Sequence, residues 1–166
     1  MLQKITPELA EICGIHAGDG HLRKDNTSYE ISGSIEEKDY YDKCIIPLFK
    51  RNFNLNLKGK FFPTKGTYGF SVTDKSLNDK LVRFGFPRGN KSLKVKVPKI
   101  ILNSKNKNVR RSFLRGLFDT DGCISFSKKV GNKDPFKISR DYYPRIVLTT
   151  VSKTLSQDIE LLLKEN

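Results

Sequence analysis

The chain has 166 residues, of which 37% are hydrophobic, enough for one compact core or for two small cores that share an interface. It carries 31 Lys and Arg against 18 Asp and Glu, a formal net charge of +13, spread along the whole length. This pattern excludes a basic tail on a neutral domain and favours a folded positive surface that binds a polyanion, with nucleic acid as the leading partner. A basic protein without such a partner is the alternative that charge alone leaves open.

The cysteines and the apolar stretches of the sequence indicate the cellular compartment of the protein. Cys13, Cys44 and Cys123 form neither a CxxC pair nor a zinc-type spacing, and we expect them to be reduced and mostly buried. No apolar run approaches the roughly 20 residues of a membrane span, and the start of the chain lacks the apolar stretch of a signal peptide. We therefore expect an intracellular protein with no membrane partner.

The first predicted element is a helix that begins after Thr6. Thr6 is a suitable N-cap, and Pro7 fits the first turn because its fixed φ is already helical. The helix is expected to run to about residue 19, where Gly20 would end it in the left-handed conformation. The other elements of the first half follow from alternating or helical spacing. They are a strand over 28–35, a helix over 39–52 that Pro47 interrupts, a hairpin of 56–62 and 67–73, and a helix over 76–84.

The second half repeats part of this order. After an extended stretch, the patterns predict a helix over 104–121, a strand over 124–127, a basic loop over 127–141, a strand over 145–151 and a helix over 155–163. The series helix, hairpin, helix, hairpin, helix is thus present once in full. Its second copy lacks the last hairpin and the last helix.

The sequences GIHAGDG (14–20) and GLFDTDG (116–122) share the spacing G-x-x-x-x-D-G at the end of two apolar helices. Asp19 and Asp121 would lie at helix C-termini, where the macrodipole disfavours an anion by a few tenths to about 1 kcal/mol. A cation held there by the carboxylate and by unpaired carbonyls of the last turn would remove this penalty, and hard oxygen ligands favour Mg²⁺. A capping Asp-Gly turn without a ligand is the alternative.

Small residues recur at i, i+3 and i+4 spacings along both motif helices and give each helix a shallow face. Two such helices can pack closely side by side, which would bring Asp19 and Asp121 together at one end. Two adjacent acid–metal sites on a positive surface suit the hydrolysis of two phosphodiesters on opposite strands. The predicted interface residues are Ala10, Gly14, Ala17 and Gly116.

The segments ICGIHAGDG (12–20) and LRGLFDTDG (114–122) resemble the signature helices of LAGLIDADG homing endonucleases. Residues 84–101 resemble the segment that joins the two halves of single-chain members. The resemblance implies an α+β fold, an αββαββα unit used twice about a pseudo-twofold axis, with an incomplete second repeat here and each sheet forming a saddle over the DNA major groove. It divides the chain into a first repeat at 1–87, a linker at 88–103 and a second repeat at 104–166.

The resemblance also implies a catalytic site. By position, the catalytic acids that bind the metal are Asp19 and Asp121, assisted by the carbonyls of Gly18 and Thr120. The implied cofactor is Mg²⁺, for which Mn²⁺ can substitute. The implied activity is cleavage of both strands of double-stranded DNA at one long recognition site, leaving 3′ overhangs, as in intron homing.

Two lysines and the state of the second half leave alternatives open. Lys91 or Lys94 stands where the family often has a basic residue that polarises the water, and either could instead contact phosphate. A non-cleaving LAGLIDADG DNA-binding protein or an RNA-splicing maturase is the alternative function, although an electrostatically unfavourable pair of acids favours the nuclease. The nuclease insert of an intein is not favoured, because no splicing residues stand at the ends of the chain. A complete protein would act as a monomer, while a truncated second half allows self-association.

Strand parity selects the residues that would face DNA, because apolar side chains on one sheet face leave the other face for the groove. Short polar and basic side chains suit contacts with base edges. An ordinary solvated sheet face is the alternative. The candidates are Ser28, Glu30, Ser32, Asn56, Lys58, Lys60, Thr67, Ser71 and Thr73 in the first half and Ser125, Ser127 and Arg145 in the second.

Overall fold

Helices and antiparallel strands alternate along the chain in the order that the repeat predicts. The computed structural model describes residues 5–127 and 143–164, so most of the predicted basic loop at 127–141 lies outside the described residues. The first half contains α1 (Pro7–Gly18), β1 (Gly20–Leu22), β2 (Tyr29–Ser34), α2 (Lys38–Tyr40), α3 (Ile46–Phe53), β3 (Lys60–Phe62), β4 (Thr67–Val72) and α4 (Lys75–Arg83). The remainder contains α5 (Lys99–Leu102), α6 (Lys107–Asp121), β5 (Gly122–Ser127), β6 (Tyr143–Leu148) and α7 (Lys153–Lys164).

Local capping explains where the helices begin. Thr6 Oγ1 accepts a hydrogen bond from the Leu9 N–H at 3.2 Å and Pro7 opens the first turn, which confirms the predicted start of α1. Asp74 caps α4 in the same way, with Oδ1 2.7 Å from the Leu77 nitrogen. The elements of the first half form one αββαββα unit, and α6, β5, β6 and α7 begin the same order again, which confirms the predicted fold class.

A π-helical turn at Tyr41–Ile45 joins α2 to α3 and accommodates Pro47. Proline cannot donate the hydrogen bond that a continuous helix requires, so an uninterrupted helix through this position would leave a carbonyl unpaired. Here the Ile46 N–H bonds to the Tyr41 carbonyl, one residue further back than in an α-helix, and α3 starts afresh with Pro47 in its first turn. The predicted helix over 39–52 thus exists as three helical pieces in one run.

The first-half sheet has the strand order β1-β2-β4-β3, and every neighbouring pair is antiparallel. One face carries the buried side chains of Tyr29, Ile31 and Phe70, which join a core that extends through both halves of the chain. The other face is polar. The hairpin turn at 63–66 is also as predicted, with Gly66 at φ 64°.

The second-half sheet contains only β5 and β6 among the described residues. Gly20 pairs with Ile31 in the first half and Gly122 pairs with Leu148 in the second, so Ile124 corresponds to Leu22 and Ile146 to Tyr29. Leu22 and Tyr29 are 1% and 0% exposed, whereas Ile124 and Ile146 are 66% and 75% exposed. The described elements therefore leave Ile124 and Ile146 on the apolar core face of the second sheet exposed, whereas Leu148 on the same face packs against the core.

The two motif helices, α1 and α6, form the interface between the halves. A Cβ added to Gly14 would lie 2.1 Å from the Phe113 carbonyl oxygen, and one added to Gly116 would lie 2.3 Å from the Glu11 carbonyl oxygen. Both obstacles are backbone atoms, so any larger side chain would force the helices apart. The structure places all four predicted interface residues, Ala10, Gly14, Ala17 and Gly116, in buried positions on these helices.

Gly20 and Gly122 follow the motif aspartates in extended rather than left-handed backbone, so the predicted left-handed cap at Gly20 is wrong. Glycine is required there by close contact instead. A Cβ on Gly20 would lie 2.3 Å from His16 Nδ1 and 2.7 Å from the Tyr29 hydroxyl, and one on Gly122 would lie 2.4 Å from the Phe118 carbonyl oxygen.

The three cysteines are free, as predicted, but only Cys13 is buried. Cys44 and Cys123 are exposed, which corrects the expectation that most of the thiols are buried. Cys44 lies in the π-helical turn and Cys123 on β5, both at positions that face away from the core. Within residues 5–127 and 143–164, no helix combines the length and the apolar character that a bilayer crossing requires.

Candidate active site

Asp19 caps the C-terminus of α1, and its own N–H still bonds to the Ile15 carbonyl at 3.1 Å. The side chain is half-buried, and its Oδ2 accepts a hydrogen bond from the Tyr41 hydroxyl at 3.1 Å. Burial raises the pKa of Asp19 to about 6; the Tyr41 hydrogen bond opposes this shift, and the negative charges of Asp121 and Glu37 add to it. This is the environment of a carboxylate that gains from a nearby cation.

Asp121 is the last residue of α6 and lies against the end of α1. A Cβ added to Gly18 would be 3.3 Å from Asp121 Cγ and 2.1 Å from Thr120 Oγ1. Partial burial raises the pKa of Asp121, and the Lys91 ammonium opposes the shift. The close packing of α1 on α6 therefore brings Asp121 beside Asp19, and their charges interact.

Lys91 reaches this point from the segment between the two halves. Its Nζ donates hydrogen bonds to the Ala17 carbonyl at 3.0 Å and to the Gly18 carbonyl. These carbonyls belong to the last turn of α1, which has no partner for them within the helix. Burial lowers the pKa of Lys91, while the carboxylates of Asp121 and Asp19 oppose that shift. The cation at the end of α1 in this structure is thus an ammonium group.

The other predicted site residues are placed as follows. Thr120 Oγ1 donates to the Gly116 and Leu117 carbonyls, each at 3.1 Å, and so turns back onto its own helix. Lys94 is exposed, and no described contact joins its side chain to either acid. Its N–H bonds to the Lys91 carbonyl at 2.8 Å, so it lies in the turn that follows Lys91. Geometry distinguishes the two lysines, with Lys91 next to the acids.

The donor set fits a divalent cation that is completed by substrate. Two carboxylates converge, and hard oxygen ligands of this kind suit Mg²⁺, which commonly binds through one or two carboxylates together with phosphate oxygens and water. In the described part of the chain, no group of three or more His, Cys, Asp or Glu side chains forms a complete protein cage. The Gly18 carbonyl, a predicted ligand, is engaged by Lys91.

Five of the nine first-half candidates for DNA contact lie in the strands and share one sheet face. Glu30 pairs with Ser71 across β2 and β4, and Gly69 pairs with Ser32 on one side and Lys60 on the other. Lys60 Nζ donates to Ser71 Oγ at 2.7 Å, which ties β3 to β4 on this face. Thr67 opens β4 on the same parity. Four candidates lie just outside the strands, namely Ser28, Asn56, Lys58 and Thr73.

The second-half candidates also fall on one face of their sheet. Ser125 pairs directly with Arg145 in the β5–β6 ladder, and Ser127 pairs with Tyr143. Val147 pairs with Cys123 on the same parity, so this face is less polar than its counterpart in the first half. In β6, Ile146 and Leu148 lie on the core face and Val147 lies on the polar face.

Three residues of this region were absent from the sequence-based site. Tyr41 could not be found from spacing, because the π-helical turn alters the phase of the helix that carries it. Phe62 follows Lys60 on the polar face, with the Lys60 and Lys65 ammonium groups 5.0 and 5.8 Å from its ring centroid, and parity could have identified it. His21 is exposed and pairs with Glu30, so it lies in the same row of side chains.

Residues 108–166 match the family model described as LAGLIDADG-like domain. This stretch contains α6, Asp121, the second sheet and α7. The match confirms the resemblance to the LAGLIDADG family that the two motifs indicate.

Curated relatives contain a similar stretch within longer chains. The Replication factor C small subunit of Methanocaldococcus jannaschii is 29% identical over 153 residues, which is 92% of this chain and 7% of that protein. The ribonucleoside-diphosphate reductase NrdEB subunit alpha of Bacillus subtilis is 30% identical over 133 residues, covering 74% of this chain and 12% of its own length. An uncharacterized protein of Methanocaldococcus jannaschii is 30% identical over 128 residues, covering 73% and 43%. The chain thus spans less than half the length of each of these relatives.

Solved structures of two homing endonucleases are also similar. Mesophilic variants of the homing endonuclease I-DmoI align over 73% of this chain and 61% of their own, with 18% identity and a TM-score of 0.48. The I-LtrWI LAGLIDADG homing endonuclease bound to target DNA aligns over 74% and 61%, with 17% identity and a TM-score of 0.41.

Proposed function

We propose that this chain is a metal-dependent, site-specific endonuclease that cuts both strands of double-stranded DNA and leaves 3′ overhangs. The observation that carries the proposal is the meeting of the two motif acids at one end of the α1–α6 pair, with Lys91 beside both. Two neighbouring carboxylates repel each other, a repulsion that a bound divalent cation would remove, and the net charge of +13 favours a polyanionic partner.

Each group has a role in the proposed reaction. Asp19 and Asp121 would each hold a Mg²⁺ ion, or Mn²⁺ in its place, as a hard oxygen ligand, with phosphate oxygens and water completing each set. The bound ion would supply an activated water and a counter-charge for the leaving oxygen. Lys91 lies where its ammonium would stabilise negative charge that develops on the phosphate. One acid from each half suits one cut in each strand.

The sheet faces supply the proposed DNA-binding surface. The first sheet presents serine, threonine and lysine side chains on one face, and the second presents Ser125 and Arg145. Side chains of these types position a duplex through phosphates and read base edges in the major groove. Because one chain contributes both acids, we propose that a monomer acts, inside the cell. Similar stretches form small parts of a replication factor and a reductase, which supports an independent module.

One observation favours the alternative of a DNA-binding protein or RNA-splicing maturase that does not cleave. Lys91 already supplies a positive charge to the free carbonyls at the end of α1. The helix end and the two acids therefore have a counter-charge without a metal. In this alternative the acids are structural partners of Lys91, and their removal would affect folding rather than cleavage.

The deciding experiment uses a supercoiled plasmid that carries the uninterrupted DNA flanking the gene, incubated with Mg²⁺. We compare the wild type with Asp19→Asn and Asp121→Asn, and we use Asp119→Asn as the matched control. Asp119 lies on α6 two residues before Asp121, and its Oδ2 accepts a hydrogen bond from the Tyr40 hydroxyl. The wild type and Asp119→Asn should give linear plasmid with 3′ overhangs, and neither motif variant should do so.

The contrary results are equally clear. Tight binding of the plasmid by the wild type without any cut would replace the nuclease with the non-cleaving alternative. Cutting by Asp19→Asn and Asp121→Asn at the wild-type rate would show that the motif acids do not carry out the cleavage. Replacing Mg²⁺ by EDTA should abolish the linear product while the protein stays folded.

A further inference from the structure

The two motif acids differ in how the fold holds them. Asp19 Oδ2 accepts the Tyr41 hydroxyl at 3.1 Å, and Asp19 is half-buried. Asp121 is exposed, and no side chain among the described residues donates a hydrogen bond to its carboxylate. The pseudo-twofold repeat of the backbone therefore does not extend to the immediate surroundings of the acids.

Tyr41 is itself held rigidly. Its side chain is 1% exposed, and its ring packs edge-on against Tyr68 at 6.4 Å between centroids. Gly33 leaves space for the hydroxyl, because a Cβ there would lie 3.0 Å from the Tyr41 oxygen. Tyr68 is anchored in turn by a 2.8 Å hydrogen bond from its hydroxyl to Asp42 Oδ1. The hydroxyl can therefore fix the orientation of one carboxylate oxygen.

The π-helical turn places Tyr41 in this position. Tyr41 is its first residue, and the extra residue in the turn changes the direction of the side chains that follow α2. The preceding residue, Tyr40, points toward the other half of the molecule, where its hydroxyl lies 3.0 Å from Asp119 Oδ2. Tyr41 thus binds the motif acid Asp19, whereas Tyr40 binds Asp119, which lies two residues before the other motif acid.

We propose that Tyr41 is a positioning residue for Asp19 and makes the two acids unequal, so that the strand cut at Asp19 depends on Tyr41 and the other strand does not. This inference rests on the proposed function. The Tyr41 hydroxyl leaves one oxygen of Asp19 free and directed for a divalent cation. No side chain among the described residues orients Asp121 in this way.

The test compares Tyr41→Phe with Tyr40→Phe, since each variant removes one hydroxyl and keeps the ring. The first readout is binding of Mg²⁺ alone, followed by the amide chemical shifts of Gly20 and Gly122. We expect Tyr41→Phe to raise the Mg²⁺ concentration needed for half-saturation about tenfold at Gly20 and to leave Gly122 unchanged, as for a lost hydrogen bond to a charged group. Tyr40→Phe should change neither value.

The second readout is the rate of cleavage of each strand of an end-labelled duplex. Tyr41→Phe should slow one strand about tenfold and let nicked DNA accumulate, while Tyr40→Phe should keep the wild-type ratio of the two rates. A purely structural role of Tyr41 would slow both strands together. Equal slowing, or an unchanged Mg²⁺ titration at Gly20, would overturn the inference.

The failure of the two proposals can be told apart. A wild type that binds Mg²⁺ near Gly20 but cuts no DNA, with Tyr41→Phe weakening that binding alone, supports the positioning role and removes the nuclease. A wild type that cuts DNA, with Tyr41→Phe indistinguishable from it, keeps the nuclease and removes the positioning role. A wild type that neither binds Mg²⁺ nor cuts removes both.

Discussion

His16 lies inside the first motif helix with no exposed surface. Its ring packs edge-on against Phe86 at 4.4 Å and against Tyr29 at 5.6 Å between centroids. Neither ring nitrogen has a hydrogen-bond partner among the described residues. Burial lowers the pKa of His16 well below its usual 6.5, and the positive charges of Lys91 and His21 lower it further. His16 is therefore a packing residue of the core, and its burial has a consequence for stability.

We predict that His16 makes the protein less stable in mild acid. The folded state keeps the ring neutral while the unfolded chain binds a proton below pH 6.5, so the stability present above that pH is lost as pH falls. The expected loss is up to about 1.4 kcal/mol per pH unit. Urea unfolding between pH 7.5 and 5.5 should show this slope in the wild type and not in His16→Leu.

Asp19 also exchanges a proton in this pH range, and its contribution has to be separated from that of His16. Asp19 acts in the opposite sense, since its raised folded pKa of about 6 reduces stability as pH rises from about 4 to 6. The difference between the wild type and His16→Leu removes that contribution. Parallel plots of the free energy of unfolding against pH for the wild type and His16→Leu would contradict the prediction.

At the scale of elements, the contact of α1 with α6 decides where the acids lie. Gly14 and Gly116 each face a backbone carbonyl of the partner helix, at Phe113 and Glu11. A buried methyl cannot be accommodated by a change of rotamer when the neighbouring atom is backbone. The distance between the two acids therefore depends on Gly14 and Gly116 having no side chain.

We predict that Gly14→Ala and Gly116→Ala each destabilise the protein by about 1–3 kcal/mol or more and abolish the proximity of the two acids. The unfolding free energy from urea titration measures the first effect. The pKa of Asp19 measures the second, because a more distant Asp121 would raise it less. Asn108→Ala, at an exposed position of α6, adds no volume to the interface and should leave both values unchanged. A stable Gly14→Ala with an unaltered Asp19 would contradict the close packing.

Much of this architecture follows from local sequence. The cap at Thr6, the hairpin turn at Gly66 and the alternating strand faces all depend on residues close together in the chain. The hydrogen bonds from Lys91 to the end of α1 connect residues more than seventy positions apart, and spacing alone could not assign them. The predicted left-handed cap at Gly20 is wrong because glycine is required there by close contacts with His16 and with Tyr29 on another strand, and not by its backbone conformation.

At the scale of the whole molecule, the two sheets differ in how much of their apolar face is buried. The first sheet has four strands and a buried apolar face, whereas the described second sheet is a two-stranded ribbon with exposed isoleucines. A groove of about 440 Å³ lies between this ribbon and α7. The groove is lined by Phe118, Ile146, Leu148, Thr150, Ser156, Ile159, Glu160, Leu163 and Lys164. Two-stranded ribbons are marginally stable in water without such cover.

We predict that the second sheet opens far more often than the first. Hydrogen-bonded amides of β6 should exchange with solvent at least about a hundredfold faster than those of β2, because few buried side chains hold the ribbon closed. Native-state hydrogen exchange by NMR measures both sets in one sample. The amides of α6 provide the internal control, since that helix is buried against α1 and should be protected like β2. Equal protection of β2 and β6 would contradict the prediction.

The segment between the halves is fastened at both ends. Gly89 donates to the Leu22 carbonyl and Lys91 to the end of α1, while further along the Val95 carbonyl accepts from Ser152 and the Val97 N–H donates to Asp158. The connection is therefore fixed to both halves by hydrogen bonds and does not behave as a flexible linker. Under the function proposed above, the distance between the two cuts would therefore be set by this fixed connection between the halves.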